Sequence, residues 1–186
     1  LFPDAWRTWV VYVRRQDELL LSRYAESIRI GNVRWPYGIE SCDLACYLDH
    51  RLRLEKLRYA VQDDRITVIS FDESKHRLID TFLERCAVTI PETANRQYHV
   101  RSSPPWGILQ ILRLTNAFPG GRFLRRAILT LWARVAGTYA QHLFKWGKPL
   151  SARRQREIRD KYAESNRWVE KIFFDGRHLL TIDKSD

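Results

Sequence analysis

Arg14 and Ser22, carried by the run VVYVRRQDELLLSRY at residues 10–24, are the side chains whose types and spacing point most directly to chemistry. Val10, Val11, Tyr12 and Val13 form a β-branched and aromatic run that suits a buried strand. Asp17 and Glu18 then stand where a helix begins, and Leu20, Tyr24 and Ile28 recur at the four-residue spacing of one helical face. Helical side chains lean toward the helix N-terminus, so Ser22 is expected to point back to the strand end from which Arg14 emerges. A guanidinium, a hydroxyl and the open N–H groups of a helix start would then converge on one phosphate. Strand alternation makes Arg14 the ligand by register and turns Arg15, the adjacent candidate, to the other face or to solvent.

This strand-end arginine, followed eight residues later by a helical serine, resembles the 3′-phosphate-binding element of sulfotransferases. The closest likeness is to bacterial sulfotransferase-like proteins of polysaccharide metabolism, in which the strand commonly reads like YLRRQD. Here it stands as Tyr12, Val13, Arg14, Arg15, Gln16 and Asp17. Leu48 and Asp49, the strand ITVISFDE at 66–73, the helix LIDTFLERCAV at 78–88 and KYAESNRWV at 161–169 are similar to later landmarks of the family, in the same order. The resemblance implies a P-loop-like nucleotide-binding fold that uses 3′-phosphoadenosine 5′-phosphosulfate (PAPS) as donor, without a metal. Arg14, Ser22 and, beside them, Arg15 would hold the 3′-phosphate while a sulfuryl group passes to a hydroxyl of a carbohydrate or related acceptor. It also sets the loop from Gly31 to Gly38 toward that acceptor. Arg34, Trp35 and Tyr37 are therefore candidate acceptor contacts, although the same residues also suit closing the loop onto the core.

In the family, a first strand and a loop cradling the phosphosulfate precede the arginine element. This chain starts shortly before the second such strand and holds neither a G-x-x-x-x-G-K-[ST] loop nor a methionine. The expectation is a C-terminal portion of a longer chain or a degenerate remnant, inactive alone. Sulfuryl transfer also needs a base for the acceptor hydroxyl. The five histidines stand in no recognisable catalytic motif. Asp72 and Glu73, after the second strand, can either accept a proton or serve as helix-start and ion-pair residues, so no catalytic residue is nominated.

A chain of 186 residues with 45% apolar and 12% aromatic side chains can bury a substantial core. Strand and helix alternate at the front, which predicts a small parallel sheet flanked by helices, with a mainly helical C-terminal half. The expected layout is an α/β portion over 1–90 and a basic helical region over 91–186 packed on it. Residues 43–60 read as one helix with Leu44, Leu48 and Leu52 in step; Ser74 is expected to cap the helix that follows β-strand 66–71, and Ser151 to cap the last one. Cys42, Cys46 and Cys86 are an odd number without a disulfide framework or a paired metal motif, so a reducing cytoplasm is expected. No apolar run approaches the length of a bilayer span, and the start of the chain does not read as a signal peptide.

The charge of +10 is uneven. Between Arg96 and Trp168 there are 15 Lys/Arg against three acids, and tryptophans are interleaved with them. Arg122, Arg125 and Arg126 open a helix whose dipole opposes them, unless an anion, membrane or partner compensates. A solvated helical surface explains many of these charges. The second functional class is a non-enzymatic module for an acidic polymer or a membrane surface, in which case the chain would be membrane-peripheral. No helix-turn-helix, RNA-recognition or zinc-finger signature supports sequence-specific nucleic-acid binding.

Overall fold

β-branched and aromatic residues dominate Trp9–Val13 (β1), and Ile66–Ser70 (β2) repeats that composition, so both runs form strands. In the computed structural model, which describes residues 8–34, 39, 45–61, 66–88, 104–135 and 150–181, they pair in parallel from Trp9 with Ile66 to Val13 with Ser70. The architecture is α/β, a small parallel sheet with helices about it and a C-terminal half that is almost wholly helical where described.

Helices α1 (Gln16–Ile30), α2 (Ala45–Leu48) and α3 (His50–Val61) lie between the strands in sequence. Instead of one helix over 43–60, the chain breaks at Asp49, whose Oδ1 accepts the Leu52 N–H at 3.0 Å and starts a new helix. The break resets the helical register. His50, Leu54, Leu57 and Val61 then form the inward stripe of α3, and Leu52, in step with Leu48 in sequence, is exposed.

β2 stops at Ser70, one residue earlier than expected, and runs into a single helical turn, α4 (Phe71–Ser74). Ser74 therefore closes α4 and does not cap the next helix; its hydroxyl donates back to the Ser70 carbonyl at 2.7 Å. The helix that follows, α5 (Leu78–Arg85), is capped by Arg77 without a side-chain bond and buries none of its residues completely. The C-terminal half supplies α6 (Trp106–Thr115), α7 (Gly121–Val135), α8 (Ala152–Lys161) and α9 (Ala163–Phe173). Ser151 does cap α8, accepting the Arg154 N–H at 3.1 Å, but the single last helix expected after it divides at Tyr162 into α8 and α9.

The chain forms two compact units. One gathers residues 1–16, 45–97 and 157–186, the other 17–44 and 98–156. Each draws on separate stretches, so a single cut near residue 90 does not follow their border. In the first unit, Val13 and Val68 from the strands and Leu54 from α3 bury against Val169, Phe174 and Leu180, which explains why the last thirty residues belong with the sheet. The second unit buries Leu20, Tyr24 and Ile28, as the spacing predicts, together with Ile108, Leu109, Leu112 and Trp132.

Polar residues of the first unit are interlocked within its core. Gln16 and Asn166, both fully buried, exchange two amide hydrogen bonds: the Gln16 amide N–H donates to Asn166 Oδ1, and Asn166 Nδ2 donates to Gln16 Oε1 at 2.9 Å. Ser165 completes the start of α3 from a distance. Its Oγ accepts the Arg51 N–H at 2.9 Å and donates to Asp49 Oδ1 at 2.9 Å. Glu170, 1% exposed, accepts the Leu180 and Thr181 N–H groups at 2.7 and 3.1 Å and so ties the segment after α9 to that helix.

Asn166→Ala would strand the Gln16 amide in the core and is expected to lower unfolding free energy by about 1–3 kcal/mol. Gln16→Ala should cost a similar amount. In urea titrations the double variant should lose less than the two losses added together, since one pair is counted twice; strict additivity would show that the amides do not act as a pair.

Candidate functional site

The in-register pairing of Val13 with Ser70 sets Arg14 and Phe71 side by side, one step beyond the C-terminal ends of the two parallel strands. Ligands of open α/β sheets bind at that edge, because the helices that follow the strands turn their N-termini and loops toward it. The Arg14 guanidinium carbon lies 4.8 Å from the Phe71 ring centroid, and its Nε lies 3.9 Å from Asp72 Oδ1. The arginine side chain is 29% exposed and that of Asp72 only 7%. Asp72 Oδ2 is buried without a hydrogen-bond partner. The site thus has an accessible cation steadied by an aromatic face and a sunken carboxylate. The other strand-end acid, Glu73, is exposed, 3.8 Å from Arg177.

The backbone at Arg14 is held from below. His50 Nε2–H donates to the Arg14 carbonyl at 2.7 Å, which fixes the neutral ring as its Nε2–H tautomer. Burial pushes the imidazole below its usual range, against the opposing effect of that hydrogen bond; the Arg53 charge adds to the lowering. Sequence reading passed over His50 as one of five scattered histidines, although its place four residues before Leu54 on the inward stripe was the available signal.

Arg15 is 6% exposed, which removes solvent as its destination. Ser22 is exposed on α1, on the side away from buried Leu20 and Tyr24, and belongs to the second unit, whereas Arg14 belongs to the first. Trp35 and Tyr37 lie outside the described residues.

Within the second unit, Arg34 joins Arg122 and Arg125 around an open cleft of about 530 Å³ that also includes Asn116, Phe118 and Gly121. Its construction explains part of the basic run at the start of α7. α1 ends in a Schellman motif: Gly31, at φ +92°, donates its N–H to Ile28 O at 3.0 Å, and Asn32 donates to Ser27 O at 2.8 Å. Asn116 Nδ2 adds bonds to the Ile28 and Val33 carbonyls at 2.8 and 2.9 Å, and Arg125 Nη1 donates to Asn116 Oδ1 at 3.0 Å. A side chain on Gly31 would collide with the Arg125 guanidinium, so that cation sits at the negative end of α1. One of the three arginines is therefore compensated inside the unit, and Arg122 and Arg126 remain outward.

Among the described residues no group of three or more His, Cys, Asp or Glu is placed to hold a metal ion. No family model matches the chain, and no curated protein or solved structure matches it either.

The depressed folded value of His50 has a sign. The native state keeps the ring neutral while the unfolded chain takes up a proton below its ordinary value of 6.5, so stability is full above that pH and falls as pH drops through it toward the folded value. Urea midpoints measured from about pH 7.5 down to about pH 5.5 should decline in the native chain, and His50→Gln, already weaker at neutral pH, should decline less over the same span. Parallel declines would assign the acid sensitivity to other groups.

Proposed function

We propose that this is a sulfotransferase-like protein that receives the nucleotide of PAPS at the C-terminal edge of the β1–β2 sheet, in the service of sulfuryl transfer to a hydroxyl of a carbohydrate or related acceptor. The observation that carries the reading is Arg14, a part-exposed guanidinium at a parallel strand end with a helix beginning two residues later. The residues suit an adenosine bisphosphate: Arg14 offers a planar fork to phosphate, and the Phe71 ring beside it is a flat apolar surface.

In this reading Arg14, within the first unit, anchors the 3′-phosphate. PAPS, when bound, supplies the activated sulfuryl group and the phosphate that leaves. Asp72 opposes Arg14, so an incoming phosphate exchanges one anionic neighbour of the guanidinium for a stronger, doubly charged one. A reducing cytoplasm suits Cys86, a free thiol.

Calorimetry with adenosine 3′,5′-bisphosphate tests the reading without requiring turnover. Saturable binding is expected, and Arg14→Ala should weaken it by about 1.5–3 kcal/mol, as for hydrogen bonds to a charged group. Equal affinity in the variant would remove Arg14 from the site. Absence of binding to the native chain would remove the function.

A further inference from the structure

The second unit carries a feature that the strand-end site does not use. It holds fourteen Lys/Arg against five Asp/Glu, so nine of the ten net positive charges of the chain reside there. From Thr93 to Arg156 no Asp or Glu occurs at all, while twelve Lys/Arg do. Helix α7 lies in this stretch and turns large apolar side chains outward: Phe123 is 67% exposed, Leu124 54% and Leu131 63%. Phe118, just before the helix, is 67% exposed as well.

These side chains are ordered around the helix. At 100° per residue, Phe123, Ala127 and Leu131 follow one another at four-residue steps, with Leu124 beside them, and form one outward stripe. Arg122 and Arg126 form the adjoining stripe, and Arg134 falls at the end of the apolar one. The opposite side of the helix, with Gly121 and Trp132, is buried. No carboxylate among the described residues pairs with Arg122, Arg126 or Arg134. Arg122 lies over the Phe123 ring at 4.8 Å, so the two stripes meet. A groove beside Arg122, Arg126, Leu129 and Thr130 runs along the basic stripe.

We propose that this face of α7, with Phe118, is a peripheral docking surface for an anionic lipid bilayer, the arginines meeting headgroup phosphates and the Phe and Leu side chains entering the acyl boundary. Charge complementarity selects the occupant. A second copy of the same face would bring arginine against arginine, and a nucleic-acid backbone would satisfy the arginines but give Leu124 and Leu131 no apolar medium. A lipid interface accommodates both stripes at once. The inference is independent of Arg14 and of nucleotide binding.

The full chain is tested by sedimentation with phosphatidylcholine vesicles with and without about a third phosphatidylserine. Binding to the anionic vesicles is expected, weakened about tenfold or more in neutral vesicles and in high salt. Arg122→Glu with Arg126→Glu should reduce it by a similar factor, and so should Leu124→Ser with Leu131→Ser, which leaves the charge unchanged. All four positions are outward, and circular dichroism checks that both variants stay folded. Three results would overturn the proposal: no sedimentation with anionic vesicles, full vesicle binding by the serine variant, which would leave only a general polyanion surface, or a dimer that the serine variant dissolves.

Discussion

The reciprocal amide pair of Gln16 and Asn166 is the constraint on which the first unit depends. A buried primary amide without partners costs more than its hydrogen bonds return, so each residue is tolerable in the core only because the other is there. The pair joins the residue after the strand-end arginines to the helix that closes the unit. Around it, Asp49 and Ser165 share the start of α3, and His50 reaches from that same turn to the Arg14 carbonyl. Three sequence segments thus meet in one hydrogen-bonded network, and the position of Arg14 follows from the fit of that network.

Much of this was legible in outline. The β-branched run at the front, the inward face of α1 and the cap at Ser151 follow local rules of alternation, spacing and capping, and the structure has them. The segments singled out for their likeness to one family, YVRRQD, Leu48–Asp49 and KYAESNRWV, turn out to be physical neighbours through Gln16, Asp49, Ser165 and Asn166. Their proximity accounts for why those residue types occur together, whatever the chain binds.

Other features rest on contacts that no local pattern carries. One helix is expected over 43–60 because the four-residue spacing of leucines continues through Asp49; the aspartate instead begins a new helix, supported by a serine more than a hundred residues away. Ser74 has the composition of a cap but finds the Ser70 carbonyl closer. Arg125 appears in sequence as an unfavourable charge on α7, and in the fold it is a favourable one on α1. For the candidate site, the arginine could be read from its strand, whereas its aromatic and acidic companions, Phe71 and Asp72, depended on which strand lies next to it and in what register.

The alternation of the two units along the chain bears on how the molecule is made. Val13 and Val68 are synthesised about a hundred residues or more before the side chains that cover them, Val169, Phe174 and Leu180. The first unit therefore keeps an uncovered strand pair until those residues emerge, while both segments of the second are already out once residue 156 has emerged. Such an order leaves an interval in which the sheet is open to wrong pairing, and closure by α9 and the segment after it ends that exposure.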